Sequence, residues 1–146
     1  MRLIIGLGNP GEKYKNTRHN VGKLVVDSLE FKYKFKFKEI TLKKTDVFMN
    51  NSGEAVKKLT TNYKLPTTDL YIVHDDLDIP LGQFKIQFGR GPKDHNGILS
   101  VNEALGTRHY WRIRVGIENR VQGTGYRVSG EVYTLQDFLP EEREMI

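Results

Sequence analysis

The sequence predicts a three-layer α/β fold, a single domain over residues 1–146 whose twisted, largely parallel mixed sheet is flanked by helices. Three observations lead there. Short apolar runs suited to buried strands, at residues 2–7 and 70–73, and a further strand at 111–117 alternate with stretches of helical periodicity. The length of 146 residues is that of one domain, and a chain of this size buries roughly 70% of the surface its unfolded form exposes. There is no Cys, so the core must hold without disulfides. A Cys-ligated zinc site, an iron–sulfur cluster and a thiolate nucleophile are excluded at the same time.

Taken in order, residues 2–7 are the expected central strand, apolar and closed by glycine. Residues 8–16 are polar and punctuated by Gly and Pro, hence a loop. Asn16 or Thr17 can cap a helix that buries Val21, Leu24, Val25 and Leu29 and ends near Phe31. Residues 32–38 alternate Lys with aromatics, which predicts a strand with one lysine face, as on an edge guarded by charge. Residues 40–48 are a weaker strand, Asn51 or Ser52 caps a second helix running to about Tyr63, and Pro66 closes that unit. The run at 70–73 leads straight into His74, Asp75, Asp76, Leu77 and Asp78, so polar groups are expected at a strand's carboxyl end. Residues 83–88 alternate as a further strand. A loop over 89–97 follows, then a helix from about Ile98 to Leu105 and a strand at 111–117. Asp137 to Glu142 reads as a helix start, with Pro140 and acids in its first turn.

The charge balance, 23 Lys+Arg against 18 Asp+Glu for a net +5, favours polyanionic partners. No apolar run has the length that spans a bilayer. The opening MRLIIGLGN is interrupted by Gly and Asn too soon for a secretory signal, so a cytoplasmic location is expected.

In sheets of this kind ligands gather beyond the carboxyl ends of the strands, and the polar loops supply four constellations. Gly6-Leu7-Gly8-Asn9-Pro10-Gly11 fits G-x-G-x-x-G after a strand. A dinucleotide site needs a helix N-terminus right there. The predicted helix starts later and Pro10 removes a donor, so a sharp turn off the strand is the plainer reading. His19 with the acids Asp75, Asp76 and Asp78 can form an oriented general base, since an imidazole is the side chain best suited to take a proton near neutral pH. The same His can merely pack or cap, and the same Asp residues can serve the turn before Pro80. Asn9, Asn50, Asn51 and Asn96 fall at loop tips, where a carboxamide can read a peptide backbone, stabilise an oxyanion or simply form a turn. Arg90, Lys93, Arg108, Arg112 and Arg114 flank these loops as candidate phosphate contacts. His74, His95 and the acids lack any metal-ligand spacing, and no metal or cofactor is expected.

Together the strings at residues 6–11, Thr17-Arg18-His19-Asn20, Phe48-Met49-Asn50-Asn51-Ser52-Gly53, His74-Asp75-Asp76-Leu77-Asp78 and His95-Asn96-Gly97 resemble the bacterial peptidyl-tRNA hydrolase family, in that family's order and over nearly the whole chain. The resemblance implies an esterase that frees tRNA by cleaving the bond between a peptide and the 3′ ribose. By the same resemblance His19 is the catalytic base, Asp75 its partner, and Asn9 the residue that tells a blocked amino end from a free one. Tyr14, Phe48, Asn50 and Asn96 match positions at the peptide and 3′-end site, Met49 is expected to pack beside them, and His95 is counted with the substrate contacts.

For the tRNA half, Arg114 matches a position that grips the 5′ phosphate. Its usual basic companion appears here as Gln87, with Lys85 and Arg90 the cations that would compensate. Against the family pattern the segment before Phe48 is short, and the C-terminal helix is a stub after Glu142. The resemblance further implies a monomer whose partner is tRNA carrying a peptide, with no membrane. The alternative reading is a non-catalytic RNA-binding protein on the same fold.

Overall fold

The computed structural model describes residues 1–33, 38–120 and 128–146. Five strands, β1 (Arg2–Gly6), β2 (Ile40–Lys44), β3 (Leu70–Pro80), β4 (Phe84–Phe88) and β5 (Trp111–Glu118), form a sheet in the order β2-β1-β3-β5-β4. All neighbours run parallel except β4, which pairs antiparallel to β5 at the edge. The helices are α1 (Val21–Tyr33), α2 (Ser52–Tyr63), α3 (Asn96–Leu105) and two short ones, α4 (Gly130–Thr134) and α5 (Pro140–Arg143). The α/β class and the largely parallel sheet are those the alternating apolar runs predict.

β1 and β3 read as continuous apolar runs because both of their faces are covered. On one face Leu3, Ile5 and Ile72 pack with Val56 of α2 and with Ile98 and Val101 of α3. On the other, Val73, Val115 and Ile117 pack with Val21 and Val26 of α1 and with Tyr133 and Phe138 near the C-terminus. Each such side chain contributes about 1.5–3 kcal/mol when fully buried. The start of α1 lies unusually close to the sheet. A Cβ on Gly22 would stand 2.2 Å from the Val73 carbonyl oxygen, and one on Gly6 would stand 2.4 Å from that of Gly22. A side chain at either position would lift this helix start off the strands, and His19 three residues earlier with it.

Several boundaries need correction. α1 is preceded by 3-10 turns at Glu12–Tyr14 and Arg18–Asn20, and Thr17 caps nothing: its Oγ1 donates to the Tyr14 carbonyl at 2.9 Å. The lysine-aromatic strand is not formed where it is described. Lys32 and Tyr33 complete α1, since Leu29 and Tyr33, four apart, share the helix face toward Thr41 and Leu42, while residues 34–37 of that expected strand lie outside the described residues. Ser52 begins α2 with its Oγ donating to the Met49 carbonyl at 2.7 Å, and Asn51 makes no side-chain cap. α3 begins at Asn96 rather than Ile98 because His95 caps it. α4 has no counterpart in the predicted elements; its Ser129 cap is weak, with Val132 N–H donating to Oγ at 3.4 Å. β3 does not stop at Val73. It runs through the polar string to Pro80, because His74, Asp75 and Asp76 are buried and find protein partners instead of water. No helix among the described residues is long and apolar enough to cross a membrane.

Candidate active site

Asp75 lies on the central strand β3 and is approached from both faces of the sheet. The Arg18–Asn20 turn brings His19 from the α1 side, and the N-cap of α3 brings His95 from the other. Asp75 Oδ2 accepts from His19 Nδ1 at 2.8 Å, and Oδ1 accepts from His95 Nε2 at 2.7 Å. The His95 proton must sit on Nε2, because Nδ1 accepts the Ile98 N–H at 3.2 Å. The carboxylate likewise holds the His19 proton on Nδ1, leaving Nε2 without a partner among the described residues. His19 lines a cleft of about 620 Å³ together with Asp75, His95, Asn96 and Arg114.

The electrostatics follow from this packing. Burial pulls the His19 pKa down, but the charge of Asp75 and its hydrogen bond outweigh that, so the imidazole stands raised from 6.5. For Asp75 burial acts upward, and the attraction of His95 and His19 with their two hydrogen bonds overrides it, holding the carboxyl well below the usual range. His74 is fully buried. Desolvation and then the neighbouring His95 push its pKa down to about 3, so it is neutral. It donates Nδ1–H to the Asp75 carbonyl at 2.8 Å. His19, Asp75 and His95 are also the one group among the described residues whose ligand atoms, within 4.8 Å of one another, could hold a metal. Both of its N···O contacts are already hydrogen bonds, so an ion there would have to displace two protons.

Asn9 is tied into the same end of the sheet. Its backbone N–H donates to Asn20 Oδ1 at 2.8 Å, its carbonyl accepts from Asn20 Nδ2 at 2.9 Å, and its Oδ1 accepts the Met49 N–H at 2.7 Å. That bond to a backbone donor fixes the orientation of the Asn9 amide and leaves its N–H groups as donors for a ligand. Met49 itself is buried, whereas Asn50 and Phe48 beside it are exposed. Phe48 meets Tyr14 edge-on at 6.3 Å between ring centroids. Asn96 is exposed at the first position of α3. These residues thus come from four separate segments. Of them Asn96 lines the cleft, while Asn9, Tyr14, Phe48, Met49 and Asn50 lie outside its lining.

Arg114 is part of the cleft but is not a free cation. Its Nε donates to Asp76 Oδ2 and its Nη1 to Gln87 Oε1, both at 2.7 Å. Gln87, which stands where the family pattern has a basic residue, therefore orients Arg114 instead of adding a charge. Lys85 is exposed and in register with Arg114 across β4 and β5, and Arg90 is exposed in the following loop; neither lines the cleft.

Two roles escaped the sequence. His95 is grouped there with substrate contacts, yet both ring nitrogens are engaged within the protein, so neither is left free for a ligand. Arg18, next to the base, is buried and anchors the C-terminal segment. Its Nη2 donates to Glu142 Oε1 at 2.7 Å, its Nη1 to the Tyr133 carbonyl and Gln136 Oε1, and its guanidinium lies 3.8 Å from the Tyr133 ring centroid. A buried Arg beside Tyr133 needs a carboxylate, and the acids near Pro140 were the available signal.

Known proteins resemble the chain over nearly its whole length. Residues 3–146 match the family model described as peptidyl-tRNA hydrolase. The chain is 38% identical over 136 residues to a peptidyl-tRNA hydrolase of Neisseria meningitidis, covering 82% of this chain and 71% of that protein. It is 38% identical over 158 aligned positions to one of Mycobacterium ulcerans, covering 97% and 81%. The crystal structure of peptidyl-tRNA hydrolase from Acinetobacter baumannii superposes with a TM-score of 0.83 at 26% identity, over 99% of this chain and 80% of that one.

Proposed function

The chain belongs to the peptidyl-tRNA hydrolase family, and from that premise we propose that it cleaves the ester between peptide and tRNA with His19 as base, Asp75 as its partner and Asn9 as the selective donor. The reading of a non-catalytic RNA-binding protein finds no support in the family match or in the hydrolases it resembles. One observation carries the site assignment: His19 Nδ1 is bound to a buried carboxylate at 2.8 Å while Nε2 stays open beside the cleft.

In this mechanism Nε2 takes a proton from water and the hydroxide attacks the ester carbonyl. General-base assistance of this kind is worth about 10²–10⁴ in rate. Asp75 stabilises the imidazolium that results, and the proton passes to the leaving ribose oxygen. The carboxamides of Asn9, Asn50 and Asn96 hold the developing oxyanion and the first peptide group. With its oxygen bound to the Met49 N–H, Asn9 offers its N–H donors to a peptide carbonyl, which can accept them, whereas a free α-ammonium cannot accept and loses its water on entry. Tyr14, Phe48 and Met49 form the apolar wall for peptide side chains. Arg114, with Lys85 and Arg90 outside the cleft, contacts phosphates of the acceptor stem, which is recognised by shape and charge. The whole of residues 1–146 acts as one domain, as a monomer in the cytoplasm and without a metal.

The test is single-turnover hydrolysis of N-acetylated against free aminoacyl-tRNA, with and without EDTA. Fast, chelator-insensitive release from the blocked substrate alone is expected. Equal rates on both substrates would remove the role given to Asn9, and loss of activity with EDTA would remove the metal-free base.

A further inference from the structure

The second imidazole on Asp75 has no part in the proton transfers above, although it is as close to the carboxylate as the base is. We propose that His95 is a positioning residue, which by donating Nε2–H to Asp75 Oδ1 stops the carboxylate from turning and leaves a single oxygen to aim His19. This rests on His19 being the base.

The argument is geometric. A carboxylate held through one oxygen can still rotate about the bond to its β-carbon, and its partner imidazole drifts with it. Here the two oxygens are pinned from opposite faces of the sheet, at 2.8 and 2.7 Å. The strut is itself immobile. His95 is 8% exposed, its Nδ1 accepts the Ile98 N–H, and its ring lies 5.1 Å from that of His19 and 5.2 Å from that of His74. His74 in turn donates to the backbone carbonyl of Asp75, so the strand carrying the carboxylate is held as well.

A second consequence follows from charge. A donor on Oδ1 draws density away from Oδ2, which then binds the imidazolium form of His19 less strongly. Without that donor the base would hold its proton to higher pH. The other charged groups around the cleft are Asp76, Asp78, Lys93, Asp94, Arg114 and Glu131; the His95 side chain bonds none of them, and the neutral His74 ring is the one further titratable group among the described residues packed against it.

Two variants separate positioning from helix capping. His95→Asn keeps an acceptor for the Ile98 N–H but cannot reach Asp75. His95→Gln carries a donor to where Nε2 was but loses the cap. For His95→Asn the expectation is a fall in kcat of about ten- to a hundredfold, the scale seen when the hydrogen-bonded partner of a metal-bound imidazole is removed. KM should change little and the acid limb of the pH profile should move upward. His95→Gln should keep the parental limb and most of kcat while melting at lower temperature. The reverse ranking, with the Asn variant near parental and its limb unmoved, overturns the proposal in favour of a cap alone.

Long-range ¹H–¹⁵N spectra of the unaltered protein give a check that needs no variant. The expected signature for His95 is a protonated Nε2 with a bare Nδ1, and a protonated Nδ1 would overturn the proposal. If the parental protein itself had no acid limb, the assignment of His19 would fall; a parental limb that His95→Asn leaves in place defeats the role of His95 alone.

Discussion

Arg18 and His19 are neighbours in one turn, and each holds a buried carboxylate, but the two pairs are built to different ends. Glu142 is saturated by donors that never give up a proton. Its Oε1 takes Arg18 Nη2 and the Leu139 N–H, and its Oε2 takes Asn119 Nδ2. Burial would raise the Glu142 pKa, and these hydrogen bonds together with the Arg18 charge hold it below the usual value instead. Asp75 is just as buried and just as fully bound, but its donors are imidazoles, and one of them keeps a second nitrogen open to the cleft. A carboxylate that ends on guanidinium and amide stabilises a fold. One that ends on a partly exposed imidazole passes its charge on to a group that can accept a proton.

The sharpest way to break this comparison is Asp75→Asn, which keeps the shape and removes the charge. The His95 N–H would take the new amide oxygen, so the NH₂ would face His19 and force its proton onto Nε2. The base would then be in the wrong tautomer, and kcat should fall by about 10²–10⁴, read in the same blocked-substrate assay. A loss under tenfold would mean that the carboxylate charge is dispensable.

Arg18→Met should do the opposite, costing stability before chemistry. Removing one partner of a buried ion pair costs about 3–5 kcal/mol, to be read as a drop in the unfolding free energy by urea titration. The remaining folded protein should keep kcat within about threefold, well short of the loss a general base would show. Unchanged stability would show that the Glu142 pair does not anchor the C-terminal segment.

A smaller effect concerns pH. His19 must be neutral to act, and its pKa is raised by Asp75, so kcat/KM should fall on the acid side with an inflection above 6.5. The sign carries over to stability. His19, raised in the folded state, adds stability below 6.5 that is lost as pH rises through its folded value. Asp75, depressed, adds stability above its ordinary value of 3.8 that is lost as pH falls through the folded value. An inflection clearly below 6.5 would show that desolvation, not Asp75, governs the base.

The same contrast explains what could be read from the chain. β1 and the first part of β3 are visible as apolar runs because a strand covered on both faces has few polar positions to confuse it. The extension of β3 through His74, Asp75 and Asp76 was hidden because polar residues read as loop unless their partners are known, and those partners come from residues 19, 95 and 114. α4 is a five-residue helix with a weak cap and no apolar period long enough to register. Among the site residues, His19, Asp75 and Asn9 were legible through motif order, not through periodicity. His95 on the second oxygen was not, since nothing in a linear string says that helices on opposite faces of a sheet converge on one carboxylate.

The most direct test of the central claim is turnover of N-acetylated aminoacyl-tRNA by His19→Ala beside the parental protein, with tRNA affinity measured on both. The account predicts a loss of about 10²–10⁴ in kcat with tRNA binding retained, and release of tRNA at the parental rate would contradict it.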